Sequence, residues 1–405
     1  MDYYLYIEPY SLFFRKKGQC LFYNTLNKKV LKVNFPNNAS AMEDCLETDK
    51  YVVLNTDECG KEDMRFFVDQ LRQTFNGDLL PAPLGSVPPA IFAPCINNQR
   101  EFEKLNNYEW MEKDGQVMNY IEEIYLYLNG HKSEKDDGVW KQLPSYLCSD
   151  RHMDSGDLMS WMKDCLDQHI SRINLLGGDV LMYPDWKKVV DVLQQKSMSI
   201  QVYYRYDLFT EAHRQLLGEE AIILTLVVPV WRVDENCFSI LMDIVSRLEQ
   251  KKQFLFLVMS EKDFELADEL IEKYELESPM IKPVYRADNL DFFEQTVYLD
   301  ESDIQNISAE KRDFYVAQKI NRNDFGRLTV LPDGKIFANV NYPAIGELRK
   351  DRMASVLYKE MTEGCSWLRV RNQKPCCDCI YQWLCPSPSN YELVIGKSNL
   401  CHVGP

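Results

Sequence analysis

The chain has 405 residues, 45% hydrophobic and 12% aromatic, which is enough for packed cores in two or three domains and excludes a disordered chain. Its 46 Lys and Arg against 62 Asp and Glu give a formal charge of −16, which opposes general nucleic-acid binding and is compatible with a basic partner or with plain solubility. The start, Met1-Asp2-Tyr3-Tyr4-Leu5-Tyr6, lacks a signal-peptide pattern, and the longest apolar run, Ala221 to Trp231, is too short to span a bilayer. A cytoplasmic protein is expected, in which 13 cysteines serve as metal ligands and buried thiols rather than disulfides.

Residues 1–80 read as a small α+β unit. Tyr3–Ile7, Ser11–Arg15, Gln19–Asn24 and Val30–Val33 are β-prone runs, with turns at Lys16-Lys17-Gly18 and Asn27-Lys28-Lys29. A short helix over Ala39–Leu46 and an extended Tyr51–Leu54 follow. Met64, Phe67, Val68, Leu71 and Phe75 lie on one stripe of a helix predicted over Asp63–Phe75, which Asn76-Gly77 stops. Strands followed by helices is the order of a winged-helix-like fold, and also of a generic cap on the next domain. Leu80–Cys95 holds Pro81, Pro83, Pro88, Pro89 and Pro94, so it is no helix interior and reads as a linker or strap. Glu101–Gly115 reads as a polar, helical bridge, so that 81–118 joins two domains.

From 119 to 300 the pattern alternates β and α. Strands are predicted at Ile124–Leu128, Arg172–Leu176, Ser199–Tyr206, Ile222–Val228, Phe254–Met259 and Ile281–Tyr285. Helices are predicted at Ser155–Asp167, Trp186–Lys196, Glu211–Leu217, Glu235–Gln250 and Lys262–Tyr274. Nearly all-apolar strands in repeated βα units imply a parallel sheet covered by helices. The expected fold class is α/β, a partial (β/α)6 barrel-like domain; a doubly wound sheet is the alternative.

Sites on such sheets gather at the C-terminal strand ends. After Arg172–Leu176 comes Gly177-Gly178-Asp179, where paired glycines admit close backbone approach and a carboxylate could hold an amine. A tight strand-to-helix turn explains the same residues. After Ile124–Leu128 comes a polar loop, Asn129 to Gly138, without cysteine, in which His131 has no ligand-spaced neighbour.

Residues 300–325 are charged and helical in pattern. Leu328 to Ala338 carries a hairpin signal with its turn at Pro332-Asp333-Gly334. Then five of the 13 cysteines crowd into 26 positions. Cys376, Cys379, Cys385 and Cys401 give C-x2-C-x5-C-x15-C, whose thiolates can converge on zinc or on an iron–sulfur cluster. A cluster of buried free thiols is the plainer reading. Cys365, Cys377 and His402 are further candidate ligands outside that spacing.

The cysteine spacing, the hairpin before it and the Gly-Gly-acid turn on six βα strands together resemble radical SAM enzymes with a SPASM domain. The run Tyr381 to Glu392 is similar to one subgroup, the pseudo-radical-SAM proteins of the GG-Bacteroidales peptide-modification system. The resemblance covers about 119–405 and makes 301–405 a Cys-rich, SPASM-like domain.

It implies absences as much as presences. Radical SAM enzymes carry C-x3-C-x2-C in the loop after the first barrel strand, and here that loop has no such triad; Cys148 stands alone beyond it. Gly177-Gly178-Asp179 then matches the SAM-amine turn as a relic, and SAM is not expected as a cofactor. Of two auxiliary ligand sets, Cys376, Cys379, Cys385 and Cys401 complete one. The other is lost, with Asn339 and Ser389 at two of its cysteine positions.

The resemblance therefore implies a non-enzymatic accessory protein of ribosomal peptide maturation with one [4Fe–4S] cluster, or zinc in the same thiolates. Its partners would be a precursor peptide and an active radical SAM maturase, with no nucleic acid and no membrane. Residues 1–80 are similar in topology to PqqD-like units, which bind a peptide as an added strand. An electron-transfer subunit and a zinc-stabilised scaffold are the alternatives. No phosphate loop, nucleophile–base pairing or His-rich motif supports unrelated catalysis.

Overall fold

The computed structural model describes residues 1–34, 36, 40–89, 116–131, 138–163, 170–194, 198–217 and 222–404. The bridge expected at 101–115 lies outside them. The chain opens with β1 (Asp2–Ile7), β2 (Ser11–Lys16), β3 (Gln19–Asn24), β4 (Val30–Asn34), α1 (Ser40–Thr48), β5 (Tyr51–Asn55), α2 (Thr56–Cys59), α3 (Glu62–Gln73) and β6 (Gly77–Ala82).

These strands form two antiparallel sheets, ordered β5-β1-β6 and β2-β3-β4. Leu5, Ile7, Phe22, Leu54, Met64, Phe67 and Leu71 share one core. Phe75 is a correction: it leaves the helix at φ 56° and is 65% exposed instead of joining the buried stripe. Gly77 follows because a Cβ there would lie 2.2 Å from the Tyr6 carbonyl oxygen. The linker expected from Leu80 is also corrected. Leu80, Pro81 and Ala82 belong to β6, where Pro81 is tolerated because β6 is an edge strand.

Next come β7 (Glu123–Tyr127), α4 (Ser155–Met162), β8 (Arg172–Leu176), α5 (Trp186–Gln194), β9 (Ser199–Arg205), α6 (Glu211–Leu217), β10 (Ile222–Pro229), α7 (Glu235–Val245), β11 (Lys251–Val258), α8 (Glu261–Lys273) and β12 (Met280–Pro283). Consecutive strands pair in parallel, in the spatial order β12-β11-β10-β9-β8-β7. That order has no reversal, so the doubly wound alternative falls. Ile124, Leu126, Ile173, Val202, Leu224 and Phe256 alternate onto one face and pack with Leu158, Trp161, Val189 and Phe238 of the helices. Asp154, Asp234 and Ser260 cap α4, α7 and α8 by accepting from the N–H of Asp157, Cys237 and Asp263. The helix expected to reach Gln250 ends at Val245. Arg247 and Leu248 continue it with tighter bonds to Ile244 and Val245, which keeps Leu248 buried.

The remainder holds α9 (Leu290–Val297), α10 (Glu301–Gln305), α11 (Lys311–Ala317), β13 (Arg327–Val330), β14 (Lys335–Phe337), β15 (Gly346–Glu347), α12 (Met353–Glu363) and α13 (Asn390–Ile395). β13 and β14 form the expected hairpin, with Gly334 at φ 81° in its turn. β13 also pairs in parallel with β7, so the described sheet has nine strands. A domain boundary at 300 therefore cuts one continuous sheet. The β2-β3-β4 sheet packs Leu21 and Tyr23 against Phe314, Ile380, Tyr381 and Leu384. Among the described residues, no helix is long and apolar enough to cross a membrane.

Candidate functional site

Gly177, Gly178 and Asp179 form the turn after β8. A Cβ on Gly177 would stand 2.4 Å from the Asn129 oxygens, and one on Gly178 would stand 2.3 Å from His131 N. What approaches the glycine pair is the chain's own loop after β7. Asn129 Nδ2 donates to Asp179 O at 2.6 Å, Gly178 N donates to Asn129 Oδ1 at 3.2 Å, and Leu147 N donates to Gly177 O at 3.1 Å.

The Asp179 carboxylate has partners within the chain. Tyr204 donates its hydroxyl to Asp179 Oδ1, and His213 Nε2 lies 3.4 Å from the same atom. Thr210 N donates to His213 Nδ1 at 3.1 Å, so the ring hydrogen sits on Nε2, facing Asp179. Burial, and then the bond to Asp179, pushes the Tyr204 phenol far above its usual range and keeps it a donor.

Beyond that turn, residues 139–147 lie across part of the sheet face opposite the helices, beside a cavity of about 610 Å³ lined by Tyr125, Tyr127, Trp140 and Thr329. Val139 and Tyr146 are buried with Val227, Leu255 and Leu257, and Leu147 is buried with Tyr127 and Leu176. The Arg205 guanidinium lies 5.4 Å from the Tyr146 ring centre and pairs with Asp207 at 2.6 Å. Gln142 clamps the far edge: its Nε2 donates to Tyr285 O at 2.9 Å, and its Oε1 accepts from Tyr285 N at 2.8 Å. Deeper on the same face, Asn174 donates to Glu123 at 2.8 Å and Gln201 donates to Thr225 at 2.6 Å.

The structure brings Cys376, Cys379, Cys385 and Cys401 to one pocket, with Leu299, Ile304 and Arg371. Cys401 is set by pairing with Leu299, whose carbonyl accepts from His402 N at 3.0 Å. Burial raises the Cys376 and Cys379 thiols and pushes Cys385 up to about 12. Arg371 Nη1 stands 3.8 Å from Cys376 Sγ. The free space between them is about 20 Å³, room for one small sphere. Among the described residues, no three His, Cys, Asp or Glu side chains stand at metal-binding spacing. In kind, the four thiols suit such a group, which would take the place of their protons. Cys365 is exposed, and neither Cys377 nor His402 lines the pocket.

Around Asn339 and Ser389, polar groups bond to one another. Asn339 Nδ2 donates to Asp324 Oδ1 at 3.0 Å and to Asn390 Oδ1 at 2.6 Å. Arg369 Nη2 donates to Ser389 O at 2.9 Å.

No family model matches the chain, and no curated protein matches it in sequence. Solved structures do. The crystal structure of Streptococcus suis SuiB matches with a TM-score of 0.51 at 11% identity, over 98% of this chain and 100% of SuiB. This chain shares the fold of SuiB. SuiB bound to precursor peptide SuiA gives 0.46 at 10% identity over 98% and 100% of the two chains. Histidine-tagged anSMEcpe with bound AdoMet gives 0.45 at 12% identity, over 65% of this chain and 84% of that one.

One feature lies outside both the Gly-Gly-Asp turn and the cysteine pocket. Among the described residues, β4 pairs on one side only, with β3. Between its free edge and α3 runs a groove of about 490 Å³ lined by Val33, Asn34, Asp63, Phe66 and Gln70. Phe66 is 65% exposed there, which a helical stripe gives no reason to expect. Tyr204 and His213 were also invisible as site residues, because no motif joins them to Asp179.

Proposed function

We propose that this chain is a non-catalytic accessory protein of ribosomal peptide maturation. It binds a precursor peptide at the β4–α3 groove and docks an active radical SAM maturase. Cys376, Cys379, Cys385 and Cys401 hold one metal centre, a [4Fe–4S] cluster or zinc. The observation that carries the reading is the chain's own occupation of the Gly177-Gly178-Asp179 turn. Asn129 and His131 abut the glycine pair, and Asp179 is bonded to Tyr204 and lies beside His213. The loop that follows β7 has no cysteine triad to hold a SAM-cleaving cluster.

The peptide side of the proposal draws on the free edge of β4, since strand addition supplies backbone hydrogen bonds to an extended peptide. The precursor peptide bound to SuiB is consistent with it. The test is anaerobic incubation of the metal-reconstituted protein with SAM and a strong reductant. No 5′-deoxyadenosine above the protein-free control is expected, and steady production overturns the non-catalytic assignment.

A further inference from the structure

We infer that Arg371 is the cation that balances the negative charge of the four-cysteine centre and so sets its affinity for metal. This rests on the metal-centre reading above and holds for either occupant.

Four thiolates outweigh the positive charge of a zinc ion or of a four-iron core, so the filled centre is anionic. A buried charge is costly unless an opposite charge or hydrogen-bond donors meet it. Among the described residues, Arg371 is the one Arg, Lys, Asp or Glu that lines the pocket shared by Cys376, Cys379, Cys385 and Cys401. Its Nη1 stands 3.8 Å from Cys376 Sγ, and Asn399 Nδ2 adds a second donor, 3.4 Å from Cys401 Sγ. Outer contacts of this kind orient ligands and are typically worth about 10–100-fold in metal affinity.

The guanidinium is held in that position on every nitrogen. Nε donates to Pro386 O at 2.5 Å, Nη2 lies 3.0 Å from Glu392 Oε1, and Nη1 faces Cys376. Gln382 Nε2 fixes the backbone beneath it by donating to Arg371 O at 2.7 Å. Glu392 does not line the pocket, so Cys376 meets the positive end of the pair. Lys32 acts on Cys379 from outside the pocket and is paired with Glu301 at 2.6 Å. A buried ion pair adds little stability over an apolar pair of similar volume. Stability therefore does not account for an arginine here, whereas an anionic centre does.

The test uses the full chain, reduced and metal-free, with Co²⁺ and Zn²⁺ as probes at one fixed pH. Co²⁺ on thiolates gives a sulfur-to-metal charge-transfer band, and Zn²⁺ titrated against it gives an affinity. The double variant Arg371→Met with Glu392→Leu removes both charges at similar volume and is expected to bind Zn²⁺ about 10–100-fold more weakly. Its cobalt band should move to longer wavelength, because a sulfur without a cation beside it gives up an electron more easily. Arg371→Gln should do the same, and it serves where the double variant does not fold by circular dichroism. Arg371→Lys keeps the charge without the fork and should recover most of the affinity and of the band position. A folded, charge-free variant with wild-type affinity, or one with weaker binding and an unmoved band, overturns the role of Arg371 and leaves the metal centre standing. No thiolate–cobalt band in the wild type overturns the metal-centre reading and this inference with it.

Discussion

Arg371 Nη2 lies 3.0 Å from Glu392 Oε1, and the two side chains are only 11% and 4% exposed. The other Glu392 oxygen accepts from Ser389 N at 2.7 Å and caps α13, while Arg371 Nη1 reaches Cys376. One buried ion pair thus fastens the cysteine loop to the helix that follows it.

Removing one partner of a buried pair strands the other charge, which costs more than the pair contributes. Glu392→Gln should lower unfolding free energy by roughly 3–5 kcal/mol. The double variant Arg371→Met with Glu392→Leu should lose less than the sum of the singles. Urea unfolding of the wild type, Arg371→Met, Glu392→Leu and the double variant measures this, and strict additivity would argue against the pairing.

The glycine turn makes a sharper claim about use. If Gly178 exists for close approach of residues 130–131, Gly178→Ala pushes that backbone outward, at roughly 1–3 kcal/mol by analogy with overpacking. The stability loss should appear with no ligand present. A Gly178→Ala protein as stable as the wild type would return the turn to ligand binding.

Asp179 can be examined in the same way. A carboxylate kept for a ligand is unsatisfied in the free protein, and its removal is neutral or stabilising. Here Tyr204 donates to it and His213 Nε2 lies 3.4 Å away, so Asp179→Ala leaves buried donors without an acceptor. A loss of roughly 1–3 kcal/mol in unfolding free energy, read from chemical denaturation, is expected.

The parallel strands were legible because they are short apolar runs between turn signals, and Arg172–Leu176 is matched end to end. β6 was not, because Pro81 argues against a strand until the strand is known to lie at an edge. The cysteine spacing announced a shared pocket, since the four residues lie near one another in sequence. The partners of Asp179 come instead from β9 and α6, and only folding brings them together. Residues 139–147 show no periodicity, because they cross a sheet face as an irregular strap and bury Val139, Tyr146 and Leu147 at no fixed interval.

Lys50 gives a prediction in pH. It is 7% exposed at the start of β5, and burial, followed by the nearby Lys311, lowers its ammonium to about 8 from the usual 10.5. Below about pH 8 it is charged in both folded and unfolded chains, and the full cost of burying the charge is present. Above that value the folded chain releases its proton while the unfolded chain keeps it. The unfolded state then binds more protons, and stability rises with pH, by up to about 1.4 kcal/mol per pH unit. Thiols raised by burial, Cys59, Cys237, Cys376, Cys379 and Cys385, pull the other way from about pH 9, and raised phenols such as Tyr6 at about 12 do so above about pH 10. Lys50→Met keeps those groups and loses only the lysine. The urea midpoint of the wild type should therefore climb relative to that of Lys50→Met between about pH 8 and 9.5, and parallel pH profiles of the two proteins would remove Lys50 as a source of pH dependence.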